Sequence, residues 1–347
     1  MQVEKKYILP VAGSIGLLSI IAFAYVGLPQ DFVFGQNATA KPEIKTFAAL
    51  PPGNDNTQTK PTAQPAVSSD TIDDNRLVQT GGKDEKTNLS PLTLKAAAEN
   101  ARLQYNLPWA FGGKSQRGWF LYAPLIQQTI VADKNAGTPE FANAVADWQQ
   151  EIGMMPNGIL DDETLYKIIE YWQSRRLKNS DYPSPEQLLT APIADFYDPT
   201  RDIGLLKVER ETYAAYKKLV AAAAKDKTLN LKLTATGELA ADEKFLKIVS
   251  AFRSREYQEK LRKAEPNSGR AGLATNSPHF TGRALDLFVG GEPVTTKDFN
   301  RAAQIQTPVY KWLVKNAGRF GFVPYFYEPW HWEYIPERLR NSNSSAK

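Results

Sequence analysis

Apolar and polar positions change their period several times along the chain, and each change marks an element. From Ile8 to Leu28 the run ILPVAGSIGLLSIIAFAYVGL holds no charged residue, and about 20 such residues cross the hydrocarbon of a bilayer as a helix. Residues 36 to about 95 mix Pro, Thr, Asn, Gln, Asp and Lys with too few large apolar side chains for a core, which predicts a disordered tether. Helical spacing follows. SPLTLKAAAENARLQYN opens on Ser90 and Pro91, a cap signal. In TPEFANAVADWQQEIG, Phe141, Val145 and Trp148 share a face behind Thr138 as N-cap, and Gly153 stops the run. Asn157-Gly158 then turns the chain, and Asp161 or Asp162 caps a helix carrying Leu165, Ile168, Ile169 and Trp172.

Beyond residue 193 helical and period-two signals alternate. LLKVERETYAAYKKLVAAAAK, residues 205–225, reads as a helix, and LNLKL, KIVSAFR, ALDLFV and HWEYI read as short strands. PVYKWLVKNAGRFG predicts a further helix ending at Gly321. Strands interleaved with helices, without long βαβ repeats, predict an α+β fold with a small antiparallel sheet. The division expected is a membrane anchor at 1–35, a linker at 36–95, an all-α region at 96–180 and an α+β domain at 193–340.

Charge and composition narrow the function. Among 347 residues, 42 Lys and Arg against 38 Asp and Glu give a net charge of +4 with no basic run, which argues against a nucleic-acid partner. Cysteine is absent, so disulfides, thiolate metal sites and a cysteine nucleophile are excluded. Lys5 and Lys6 precede the apolar run, so the N-terminus stays cytoplasmic and the remainder is exported, on the periplasmic side. A cleaved signal peptide, with ATA at 38–40 as the cleavage site, exports the remainder equally. A tether of this length reaches roughly 45 Å from the membrane.

Only two histidines occur, and both sit in chemically suggestive settings. His279 lies in NSPHFTGRALDL, in a Pro/Gly loop feeding a strand on which Asp286 shares a face with Ala284 and Phe288. His331 lies in YEPWHWEY, where Pro329 disfavours a continuous helix, so His331 opens a strand with Glu328 on the turn before it. Two imidazoles and one carboxylate make a three-ligand zinc site with a fourth position for water, whose proton a neighbouring carboxylate, Glu328, is placed to take. Each histidine taken alone is more often a surface or core pairing, and it is the coincidence of both that points to a metal. Arg253, where VSAFRSREYQEKL passes from strand to helix, supplies a fixed guanidinium or an ordinary ion pair.

These segments resemble the VanY-like D-alanyl-D-alanine carboxypeptidases, zinc peptidases of bacterial walls related to lysostaphin and to hedgehog domains. The pattern S-x-H-x-x-G-x-A-x-D is met by Ser277, His279, Gly282, Ala284 and Asp286, and E-P-W-H-W by Glu328, Pro329, Trp330, His331 and Trp332. S-G-Y-R-S-x-x-x-Q is met by Ser250, Phe252, Arg253, Ser254 and Gln258, with Ala251 in place of the glycine. The resemblance implies that His279, Asp286 and His331 bind Zn2+, that Glu328 is the general base, and that Arg253 steadies the substrate or the developing oxyanion. Ser277, Gln258 and, within an aromatic cluster, Trp330 are implied substrate contacts. Residues 117–175 resemble the small helical peptidoglycan-binding domain of wall hydrolases through Trp148, Gln149, Gly153, Gly158, Asp161, Thr164 and Leu165. A ligand-free helical spacer is the alternative.

The function expected is removal of a terminal D-alanine from peptidoglycan stem peptides. An L-Ala-D-Glu or cross-link endopeptidase is one alternative, and a non-catalytic wall-binding or signalling module is another. A general base at Glu328 argues against the last.

Overall fold

The computed structural model describes residues 90–178, 180–266 and 272–336. The apolar run at 8–28 and nearly all of the expected tether lie outside the described residues. Among the described residues, no helix is long and apolar enough to cross a membrane.

Helix α1 (Pro91–Asn106) starts where the Ser90 hydroxyl accepts the Leu92 N–H at 3.2 Å, so it begins inside the stretch expected to be linker. It leads into a hairpin, β1 (Pro108–Phe111) and β2 (Lys114–Arg117), in a region expected to be all-α. Gly112 and Gly113 make this possible. Both hold positive φ, 58° and 82°, as a two-residue hairpin turn requires. Helices α2 (Ala123–Thr129), α3 (Pro139–Glu151) and α4 (Asp162–Ser174) follow, and Thr138 and Asp161 cap the last two as their positions predict. The buried Gln149 joins α3 to α4: its amide donates to Thr164 Oγ1 at 2.9 Å, and its carbonyl accepts the Gly158 N–H at 2.9 Å.

A second small pair, β3 (Leu188–Thr190) and β4 (Lys207–Glu209), precedes α5 (Arg210–Ala223). The expected strand LNLKL does not form. Asn230 adopts the left-handed conformation at φ 49°, which breaks an extended run, and a single bridge from Leu233 to Leu239 remains. Then come β5 (Ile248–Ser250), α6 (Arg255–Ala264), β6 (Ala284–Leu287), α7 (Asp298–Gln306), α8 (Pro308–Asn316), β7 (Phe322–Tyr325) and β8 (Glu328–Tyr334). The last four strands form one antiparallel sheet in the order β5-β6-β8-β7. The fold is mixed α+β, built from small antiparallel sheets and helices.

The described residues all fall in one compact unit, and one hydrophobic cluster runs from Leu103 in α1 to Tyr334 in β8. The helical region and the sheet are therefore packed together. Tyr122, just before α2, stacks on Phe326 with ring centroids 4.4 Å apart, and Phe111 in β1 lies 5.5 Å from the Tyr327 ring. The buried Arg301 donates to both sides, to Tyr122 Oη at 2.9 Å and to the Tyr327 carbonyl at 3.2 Å.

Candidate metal centre

Antiparallel register brings the site together. Ser250 on β5 lies opposite Asp286 on β6, and Asp286 lies opposite His331 on β8. His279 arrives from the turn Pro278–Thr281, which feeds β6. That turn is pinned at both ends. The Ser277 hydroxyl accepts the His279 N–H at 3.3 Å, and Gly282 holds φ 68° with its carbonyl accepting the Glu209 N–H at 3.2 Å. A Cβ at Gly282 would stand 3.0 Å from the Glu209 nitrogen, so both the conformation and the close approach call for glycine.

The donor atoms are set by their neighbours. His279 Nδ1 lies 2.7 Å from the Ala251 carbonyl, which only accepts, so Nδ1 carries the proton and Nε2 keeps its lone pair. Nε2 faces Asp286 Oδ1 at 3.3 Å, and His331 Nδ1 faces the same oxygen at 2.9 Å. His279, Asp286 and His331 are all buried, and their ligand atoms lie within 4.8 Å of one another. Two imidazole nitrogens and a carboxylate oxygen, converging and each oriented from behind, fit the donor set of a divalent metal. The same three residues were the ligand set expected from the sequence.

Electrostatics follow from burial and these contacts. Burial, then the Arg253 guanidinium, pushes His279 down to about 4. Burial also opposes charge on His331, but hydrogen bonds to Asp286 and Glu333 outweigh it and lift the imidazole to about 9. Burial works against the Asp286 carboxylate as well, yet the neighbouring His279, Arg253 and the hydrogen bonds from both imidazoles hold it well below the usual range. Glu328 behaves oppositely: burial drives its carboxyl up to about 8, although the His331 charge pulls the other way.

Glu328 is the first residue of β8, not part of a preceding turn. It is three residues from His331, which in a regular strand would place the two on opposite faces. Register is broken here, since Pro324 pairs with Trp332 while the next residue, Tyr325, pairs with Glu328. The bulge frees Glu328 from strict alternation, and its carboxyl feels the charges of His331, Asp286 and Arg253. Arg253 lies beyond the end of β5 and is 8% exposed. It donates through Nε to Ser250 Oγ at 2.8 Å, through Nη1 to Gln258 Oε1 at 3.3 Å and through Nη2 to Asp286 Oδ2 at 2.5 Å.

The remaining expected residues take local positions. Gln258 is buried, with its amide donating to the Ala274 carbonyl at 3.0 Å. Ser277 caps the His279 turn. Trp330 is 2% exposed and belongs to the hydrophobic core. Two residues escaped sequence reasoning. Glu333 accepts from His331 Nε2 at 3.1 Å, and Arg176, just past α4, donates to Glu333. Period-two alternation along HWEY marks Glu333 as sharing a face with His331. Nothing local marks Arg176, which is 157 residues from Glu333.

A buried His-Asp-His set, drawn from two adjacent antiparallel strands and the turn that feeds one of them, is a candidate metal site of the kind a metal-dependent hydrolase uses. Residues 205–337 match the VanY family, D-alanyl-D-alanine carboxypeptidase, and form a VanY domain. The chain thus carries a VanY-type D-alanyl-D-alanine carboxypeptidase domain with a buried candidate metal site, and the family implies a peptidoglycan stem peptide as substrate. A comparison with curated proteins finds no match.

Proposed function

We propose that the metal is zinc, that Glu328 is the general base, and that Arg253 binds the substrate or its developing negative charge. The single observation carrying this is the convergence of the His279, Asp286 and His331 donor atoms within 4.8 Å, fully buried. An N,N,O donor set without thiolates suits Zn2+. When bound, zinc supplies Lewis acidity and a water of lowered pKa.

The chain's own groups do the rest. Glu328, unprotonated, accepts a proton from the attacking water and returns it to the departing D-alanine amine. Burial raises the affinity of this carboxyl for a proton while a bound cation beside it would favour the carboxylate, so the group can both take the proton and give it back. Arg253 has five N–H donors, of which Ser250, Gln258 and Asp286 take one each, so two remain for a substrate carboxylate or an oxyanion. Ser277 and Gln258 hold the His279 turn and the Arg253 fork in place and flank the substrate.

The charge-free run at Ile8–Leu28 behind Lys5 and Lys6 supports a membrane anchor with the catalytic domain on the periplasmic side. The deciding experiment is mass analysis of purified muropeptides incubated with the full chain, with and without chelator and added zinc. Loss of one terminal alanine, abolished by chelator and restored by zinc, is expected. Products cut between L-Ala and D-Glu or across cross-links would replace the carboxypeptidase reading with an endopeptidase one.

A further inference from the structure

The Glu333 carboxylate is completely buried, and nothing in the hydrolytic steps employs it. Four N–H groups converge on it. Arg176 gives two, from Nε at 2.9 Å and from Nη2, both to Oε1, and the Leu177 backbone N–H gives a third, to Oε2 at 2.8 Å. The fourth is His331 Nε2, 3.1 Å from Oε1. Arg176 is held from its other side as well, because its guanidinium lies 3.8 Å over the Tyr325 ring, which in turn meets the His331 ring edge-on at 5.8 Å. A neutral imidazole carries one N–H. His331 Nδ1 faces Asp286 Oδ1 at 2.9 Å and Nε2 faces Glu333 Oε1 at 3.1 Å, both acceptor-only, so a cation held beside Asp286 would take the Nδ1 lone pair and leave the one proton of the neutral ring on Nε2, donated to Glu333. His279 has the opposite arrangement, since its Nδ1 proton goes to the Ala251 carbonyl and Nε2 is left free. The two imidazoles thus present different nitrogens to one point.

The geometry points to Arg176 and Glu333 as positioning residues that fix the tautomer and ring orientation of His331, so that the segment after α4 completes a metal centre whose ligands all come from the VanY domain. Arg176 lies outside residues 205–337, so the matched domain does not supply this part of the site by itself. The arrangement also has an electrostatic reason. A carboxylate taken out of water needs a paired cation, and Arg176 provides it in two-pronged form while leaving the lone pair of His331 untouched. Without Arg176, Glu333 would be left with one backbone N–H and the imidazole, free to rotate the ring or to compete for the metal.

The inference rests on the reading of His331 as a ligand, and the test separates the two. Full-length wild type, Arg176→Gln, Arg176→Lys, Glu333→Ala and His331→Ala are stripped and reloaded. Zinc affinity is measured by competition with a chromophoric chelator, and the visible spectrum is recorded after Co2+ substitution. A second-sphere partner of a ligand histidine changes metal affinity by about 10–100-fold. Arg176→Gln and Glu333→Ala are expected to weaken zinc by that factor, to alter the Co2+ spectrum and to lower kcat with little change in KM. Arg176→Lys should recover part of the affinity. Wild-type affinity and an unchanged Co2+ spectrum in both Arg176→Gln and Glu333→Ala, whatever their melting temperature, would overturn the proposal and leave an ordinary buried ion pair. Should Arg176→Gln not fold, Arg176→Lys decides by the same two readouts. Failure of the ligand reading itself looks different, because His331→Ala would then bind zinc as tightly as wild type.

Discussion

Glu328→Gln should make the metal-free protein more stable while nearly abolishing its activity. The substitution keeps the shape and one carbonyl oxygen of the side chain and removes only the ionisable proton. In the folded chain burial lifts this carboxyl from an ordinary 4.5 to about 8. Below 4.5 the folded and unfolded chains both carry the proton, and stability does not depend on it. Between 4.5 and 8 only the folded chain holds it, so unfolding releases a proton and stability falls as pH rises. Above 8 the loss is complete. The slope is about 1.4 kcal/mol for each pH unit, which by neutral pH amounts to a difference on the order of 3 kcal/mol between wild type and the glutamine variant. For a unit of this size that corresponds to roughly 2–4 °C in Tm per kcal/mol.

The assay is a set of thermal or urea melts of chelator-treated wild type and variant across this pH range. All other titrating groups are common to both proteins, so the difference curve isolates Glu328. The two should coincide near the lower limit and diverge steadily toward neutrality, with the variant more stable. Added zinc should shrink the gap, since a nearby cation favours the carboxylate. Turnover of the zinc-loaded variant should fall by about 10²–10⁴, the usual contribution of a positioned acid or base. Parallel stability curves would refute the burial argument, and undiminished turnover would remove Glu328 from the chemistry.

Three further outcomes follow from the same geometry. His279→Ala and His331→Ala, each in the full chain, should lose the stoichiometric zinc that elemental analysis finds in wild type, and zinc retained by both would exclude the site. Arg253→Lys keeps the charge but loses the planar fork shared among Ser250, Gln258 and Asp286, so kcat/KM should drop by about tenfold to a hundredfold, the worth of one charged hydrogen bond. Deleting residues 90–180 should leave an unfolded or aggregating product that binds no zinc, as circular dichroism and metal analysis would report. A folded, zinc-loaded remainder would contradict the single core.

Much of the site was legible because its residues are local in sequence or rare in type. Two histidines, each within reach of a carboxylate along a short segment, identify the ligand set, and cap residues such as Thr138 and Asp161 set helix starts through bonds spanning three residues. What stayed hidden depends on packing between distant segments. The β1–β2 hairpin escapes the sequence because its strands are only four residues long, and it is fixed by Gly112 and Gly113 and by contact of Phe111 with Tyr325 and Tyr327. The broken register that frees Glu328 depends on how β8 pairs with β7, which no alternation pattern encodes.

The likeness of residues 117–175 to a wall-binding domain takes on a different physical meaning in this setting. The residues that carry it are occupied in building the fold. Gln149 ties Gly158 to Thr164, Asp161 caps α4, and Trp148 and Leu165 are buried. Such a motif preserves a helical scaffold whether or not the scaffold still grips polymer, so contact with the wall has to come from side chains that remain exposed, such as Tyr166, Met155 and Val131. The same scaffold also supplies Arg176, Tyr122 and Phe111 to the sheet that carries the candidate metal ligands. Selection on catalysis alone would then retain these helices, and their presence beside a VanY domain is accounted for by packing before any wall affinity is invoked.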